Sequence, residues 1–301
     1  YKRQIVISGN HDSAERLSFA SRILRGTGLF LCGDLYHTLA PVILKDDDGE
    51  VAFAPLPYAE PGKVREALSA DVHTHEEAER VLSDFLLRQM GHAARKVAIA
   101  HEFVAGGSAS DSERPLSIGG TDLISADVFA PYNYTALGHL HGPQKAGGKE
   151  NVRYSGSLLK YSFSEATQKK GVIVGEIDGA GQVKTTFISL SARHDVRVIK
   201  GFFDDLIKGE SEDFLMAELL DEGPVIDAMA RLRQKYPRMM TIQSHRRMNS
   251  GSGERSFDLM KKIDPLDMFR VFYKEFQDKE FTEEEEDYMK ELWEDLRKED
   301  D

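Results

Sequence analysis

The sequence is short of the features that mark several large protein classes. It holds one cysteine, Cys32, among 301 residues, which excludes a disulfide within the chain and fits a reducing, cytosolic setting. No apolar run approaches the roughly 18 residues that a membrane-spanning helix needs. The opening Tyr1-Lys2-Arg3 has neither an initiator methionine nor the long apolar middle of a signal peptide, and it reads as the interior of a domain. A positive balance is also lacking. The 39 Lys and Arg residues face 51 Asp and Glu, a net charge of −12, which taken whole argues against contacts to nucleic-acid phosphates.

The distribution of that charge changes its meaning. Residues 264–301 carry 16 acidic and 6 basic side chains, so the acidity belongs mostly to the C-terminal end. The remainder is close to neutral, with a small basic cluster of Lys2, Arg3, Arg16, Arg22 and Arg25 near the start. Such a body permits DNA binding without demanding it. Its 41% apolar content is ordinary for a globular protein able to bury a sizeable core. No internal repeat is present.

Short apolar runs bounded by turn residues recur through the first 190 positions: "QIVIS", "LFLC", "PVIL", "VAFAPL", "KVAIAH", "YTALGH", "GVIVGEI" and "VKTTFISL". They read as strands. Between the fourth and fifth, Ala78, Val81, Leu82, Phe85 and Leu86 recur at helical spacing before Gly91, which predicts an amphipathic helix over a sheet. The expectation is an α/β layered domain over residues 1–192, with a more antiparallel second half. From Arg193 the rhythm becomes strand, short helix, strand, helix, strand, a small separate unit over residues 193–244. Residues 245–263, containing "HRRMNSGSGERSF", read as a linker. Residues 264–301 read as two amphipathic helices. The first starts at Asp264-Pro265 with Leu266, Phe269, Phe272, Tyr273 and Phe276 on one face; the second is capped by Thr282.

Three strand ends carry histidines in unusual settings: Asn10-His11-Asp12 after "QIVISG", His101-Glu102 after "KVAIA", and Gly138-His139-Leu140-His141-Gly142 after "YTAL". Neutral imidazoles bind Zn, Mn or Fe, and an asparagine carbonyl adds an oxygen suited to a hard divalent ion. Each piece has a plainer reading alone, "GNHD" as a tight turn and His101 as an ordinary half-buried histidine. Together, in this order and each after a strand, they suggest a metal centre. His37, His73, His75, His92, His194 and His245 lie in stretches read as helix, turn or linker, and they read as structural.

"GNHD", the strand-end histidine and "GHLHG" resemble the later motifs of the calcineurin-like metallophosphoesterases. The tracts "SGNHDSAERLSFAS", "AHEFVAGGSASDSERPLSIGGTDLI", "RYSGSLLKYSFSEATQKKGV" and "LLDEGPVIDAMARLRQKYP" resemble, more closely, the SbcD family of DNA nuclease subunits, from about Gln4 to the C-terminus. The resemblance implies a metallophosphoesterase sandwich of two sheets flanked by helices, with a small α/β capping domain over residues 193–244. It implies that Asn10, His101 and His139 bind one ion of a binuclear Mn²⁺ pair, with Mg²⁺ as an alternative, and that His141 binds the other. His11 would face the attacked phosphate, oriented by Asp12. The implied partners are DNA, as duplex ends, hairpins and single strands, an SbcC-like SMC-family ATPase docked through residues 264–301, and a second nuclease subunit within a heterotetramer. No membrane is implied, and the setting is the bacterial cytosol and nucleoid.

The family's earliest motifs, Asp-x-His and a Gly-Asp whose aspartate bridges the metals, have no counterpart upstream of Gly9. The sequence therefore reads as lacking an N-terminal segment, and as inactive without it. Two other functions stay open: a non-catalytic DNA-end-binding scaffold, and a stand-alone phosphoesterase for small substrates.

Overall fold

The computed structural model describes residues 2–108, 123–221 and 223–244, together with 282, 285, 286, 288 and 289. The mixed α/β character is as expected. The N-terminal strand β1 (Gln4–Ile7) leads through two short helices, α1 (Ala14–Leu17) and α2 (Ser21–Arg25), to β2 (Leu29–Cys32), which pairs with it in parallel. A hairpin of β3 (Val42–Asp46) and β4 (Gly49–Leu56) then opens the largest sheet. Helices α3 (Pro61–Leu68) and α4 (His75–Gln89) follow, and the chain re-enters the sheet as β5 (Arg95–His101). Two short parallel strands, β6 (Phe103–Val104) and β7 (Leu123–Ile124), precede β8 (Tyr134–Gly138), β9 (Gln144–Ala146) and β10 (Lys149–Tyr154). The large sheet runs β3-β4-β5-β8-β10-β9, and β11 (Gly171–Ile177) with β12 (Val183–Ser189) forms a separate antiparallel hairpin.

The central strands explain themselves. "VAFAPL" and "KVAIA" are apolar on consecutive positions because β4 and β5 lie parallel inside the sheet, where both faces are covered. Helix α4 is nucleated by a capping box between Thr74 and Glu77 and buries Ala78, Leu82 and Leu86, one residue per turn. The buried Arg95 guanidinium reaches Asp46 with two hydrogen bonds, at 2.8 and 2.5 Å, fastening the start of β5 to the end of β3.

The described strands form one six-stranded mixed sheet and four smaller ones. In the second half β10 returns parallel to β8, while the β9–β10 and β11–β12 pairs are antiparallel. The β9–β10 turn is Gly147-Gly148, both with positive φ, the conformation a two-residue hairpin turn demands. Helix α3, opened by Pro61, was not anticipated.

Beyond β12 a second unit has its own core. Strands β13 (Val196–Gly201), β14 (Phe214–Leu219) and β15 (Met239–Ser244) form a parallel sheet in sequence order, connected by α5 (Phe203–Leu206) and α6 (Ala228–Arg233). Phe203, Leu215, Ala217, Leu232 and Met239 fill the space between sheet and helices. Lys160 ties this unit to the main body: its Nζ donates to Ala166 O, to Asp195 Oδ2 at 2.9 Å and to Val196 O. The linker over 245–263 and most of 264–301 lie outside the described residues. Where the terminal stretch is described, Thr282 does act as a cap: its Oγ1 accepts the Glu285 N–H at 3.3 Å, and Glu285 Oε2 accepts the Thr282 N–H at 2.9 Å. Among the described residues no helix is long and apolar enough to cross a membrane.

One buried acid strains this core. Glu79, on α4, is 2% exposed, and its Oε1 has no hydrogen-bond partner among the described residues. Burial pushes its carboxyl from the ordinary 4.5 up to about 8. The folded state therefore keeps a proton that the unfolded chain releases, so this group's stabilising contribution is complete below about pH 4.5 and is lost as pH rises through about 8. Glu79→Gln should raise Tm by several degrees near the upper end of that window and change it little near the lower end. Thermal melts with an equal shift at both ends would contradict this.

Candidate metal centre

Parallel pairing brings the three motif-bearing strand ends to one side of the fold. β5 and β8 run in register with His101 opposite Gly138, so the imidazole lies against the next strand's glycine. β1 ends beside them, and after Ser8 the chain turns through Gly9–Asp12, closed by the Asp12 N–H on Gly9 O at 3.1 Å and the Gly9 N–H on Asp12 Oδ2 at 2.8 Å. His101 occupies the slot between them. A Cβ on Gly9 would stand 2.7 Å from His101 Cε1, and one on Gly138 would stand 2.9 Å from its Nδ1. No side chain larger than hydrogen fits at either wall without displacing the ring.

Within this arrangement Asn10 Oδ1 is 3.0 Å from His101 Nε2, and the His101 and His139 rings meet edge to face with centroids 5.4 Å apart. His139 has φ of +105°, a conformation that side chains larger than hydrogen rarely adopt and that surrounding structure must enforce. Burial pushes the His101 pKa down to about 4, and the neighbouring His139 adds to the shift. His101 is therefore a neutral imidazole at neutral pH, with a lone pair to offer.

His141 is held separately. Its Nδ1 is 2.9 Å from Oε1 of the fully buried Glu165. Its ring also lies 5.4 Å from that of Tyr161, which is 68% exposed. His11 is exposed at the tip of the turn. The expected orienting bond from Asp12 to His11 is not among the hydrogen bonds of the described residues; Asp12 closes the turn on Gly9 instead.

A second layer was not legible as such. Tyr58 sets its ring edge-on to His101, with centroids 6.5 Å apart, and stacks on His75 at 5.5 Å. Its hydroxyl donates to Glu60 Oε1 at 2.9 Å. His75, read from the sequence as a structural helix residue, is buried, with Nε2 3.5 Å from Glu60 Oε2. Tyr58 thus links it to the cluster. Next to Asn10 opens a cleft of about 650 Å³ lined by Asp12, Asp34, His37, Tyr58 and Glu60 among others. Asp34 accepts from His37 Nδ1 at 2.5 Å. Burial works to raise the Asp34 pKa, but the bonds from His37 and the Tyr36 N–H outweigh it and hold the carboxyl below the usual range.

Among the described residues no three His, Cys, Asp or Glu side chains already stand in a coordinating arrangement. The donors that converge are an amide oxygen and imidazole nitrogens, a mixed oxygen and nitrogen set of the kind that divalent metal ions accept. Asn10, His101 and His139 supply these donors, and His141 lies two residues beyond His139.

Residues 192–276 match the family model of the SbcD C-terminal domain, described as the type 5 capsule protein repressor C-terminal domain. The match takes in the three-stranded parallel unit.

The slot makes a specific demand on Gly9. Gly9→Ala should destabilise the protein by about 1–3 kcal/mol through overpacking, and this cost should largely vanish in a His101→Ala background, where the ring is gone. Gly175→Ala, at a strand position with nothing within 4 Å of the added Cβ, should be nearly neutral. Urea unfolding of the set reads the coupling, and strict additivity of Gly9→Ala with His101→Ala would remove the slot from the account.

Proposed function

We propose that this chain is an SbcD-type nuclease subunit, a divalent-metal phosphodiesterase that cuts DNA ends, hairpins and single strands in the cytosol. The observation that supports it most directly is the convergence of Asn10, His101 and His139 from three separate strand ends, with His101 neutral and confined between two glycines. The C-terminal domain match points the same way.

In this reading Asn10, His101 and His139 hold one Mn²⁺ ion and His141 another, with Mg²⁺ as the alternative. When bound, the ions supply Lewis-acid polarisation of the phosphodiester and neutralise its charge. His11, exposed beside Asn10, donates a hydrogen bond to a phosphate oxygen or to the leaving group. Asp12 fixes the turn that presents both. The three-stranded unit, pinned through Lys160, governs which DNA reaches the site and contributes no ligand. Residues 264–301 dock on an SbcC-like SMC-family ATPase, and two nuclease subunits pair in the assembly.

A non-catalytic DNA-end scaffold is the second reading. The two separate by experiment. In the full-length protein, His139→Ala should lose Mn²⁺ binding and cleavage of a blunt duplex together. His11→Ala should keep Mn²⁺ and DNA binding while cleavage falls about 10²–10³-fold, the usual contribution of a preorganised donor. DNA binding with no Mn²⁺-dependent cleavage by the unmodified protein would decide for the scaffold. For the partner, Phe269→Ala combined with Phe272→Ala should weaken co-elution with the ATPase and leave the subunit's own Tm nearly unchanged; a large fall in that Tm with co-elution intact would count against docking.

A further inference from the structure

His141 is gripped at its ring and at its backbone by a segment that the histidine motifs do not include. Glu165 closes a single 3₁₀ turn (Phe163–Glu165) and is completely buried. Its Oε1 faces His141 Nδ1 at 2.9 Å. Its Oε2 lies 2.6 Å from Lys170 Nζ and accepts the Tyr161 N–H at 3.3 Å. Lys170 also donates to the His141 carbonyl at 2.8 Å, and the Ser157 N–H donates to the same oxygen at 3.0 Å. Gly156 permits this approach, since a Cβ there would stand 2.6 Å from His141 O.

The chemistry of these groups leaves little freedom. A carboxylate wholly removed from water is costly unless paired, and Lys170 provides the opposite charge. An ionised carboxylate only accepts hydrogen bonds, so the imidazole nitrogen facing it must carry the proton. The lone pair of neutral His141 is then on Nε2. We propose that Glu165 is a positioning residue that fixes His141 as its Nδ1–H tautomer, which puts the ring's lone pair on Nε2. That this lone pair serves a divalent ion rests on the function proposed above; the tautomer does not.

An amide in place of the carboxylate gives a directed test. In Glu165→Gln the amide oxygen is claimed by Lys170 and the Tyr161 N–H, which turns the NH₂ group toward His141. Nδ1 must then accept and Nε2 must carry the proton, the wrong-tautomer effect known when an amide replaces a histidine-orienting carboxylate. Long-range ¹H–¹⁵N correlation spectra of the metal-free full-length protein at mildly alkaline pH read the tautomer directly, with His141 assigned by the signal lost in His141→Gln. The unmodified protein should show Nδ1–H and Glu165→Gln should show Nε2–H, with Mn²⁺ affinity falling about 10–100-fold in the variant. An Nε2–H tautomer in the unmodified protein overturns the proposal, and this reading stands even if Glu165→Gln does not fold. Retention of Nδ1–H in a folded Glu165→Gln overturns it equally. The expected tautomers in proteins that bind no Mn²⁺ would uphold the positioning role while removing the nuclease reading.

Discussion

The confinement of one imidazole between two glycine backbones is the constraint on which the site depends. His101 ends a central strand, Gly138 is its register partner on the neighbouring strand, and Gly9 belongs to a turn from a different sheet. Because the ring fills the space a Cβ would need at both walls, β1, β5 and β8 can approach closely only with glycine at those two positions. The approach sets Asn10 Oδ1 against His101 Nε2 and brings the His139 ring to its edge. The burial that results is also what keeps His101 neutral. Packing, backbone conformation and proton affinity therefore share one cause.

Around that slot, the supports come from parts of the chain that carry no motif. Tyr58 and His75 back His101 from the α3–α4 side, and the segment ending in Lys170 holds His141. The same segment carries Lys160, whose ammonium is shared between Ala166 O, Asp195 and Val196 at the start of the C-terminal unit. A displacement of that unit therefore has a short covalent and hydrogen-bonded route to the residues that orient His141.

Most strands were legible because each is an apolar run cut off by turn residues, and α4 because its apolar residues return once per turn above a capping box. The histidine motifs were legible because glycines flank them, and the slot shows why those glycines are needed. What stayed hidden was tertiary. Glu165 is an acidic residue in a polar stretch, and only the fold reveals that it is fully buried and faces His141 from 24 positions away. His75 looked like any polar residue at a helix start, since nothing local signals a tyrosine stacked on it. Helix α3 was missed because a short helix opened by proline resembles a loop, although Val64 is completely buried. The Gly147-Gly148 hairpin did have a local signal, the two adjacent glycines, but its strands are short and polar enough to pass for loop.

The central claim is that three strand ends, locked around His101, form a metal centre. Anomalous diffraction at the manganese edge, from crystals of the full-length protein grown with Mn²⁺, tests it most directly. The expected result is a peak at bonding distance from Asn10 Oδ1 and from the imidazoles of His101 and His139. Saturating Mn²⁺ with no peak there, or a peak held only by residues elsewhere in the fold, would contradict it.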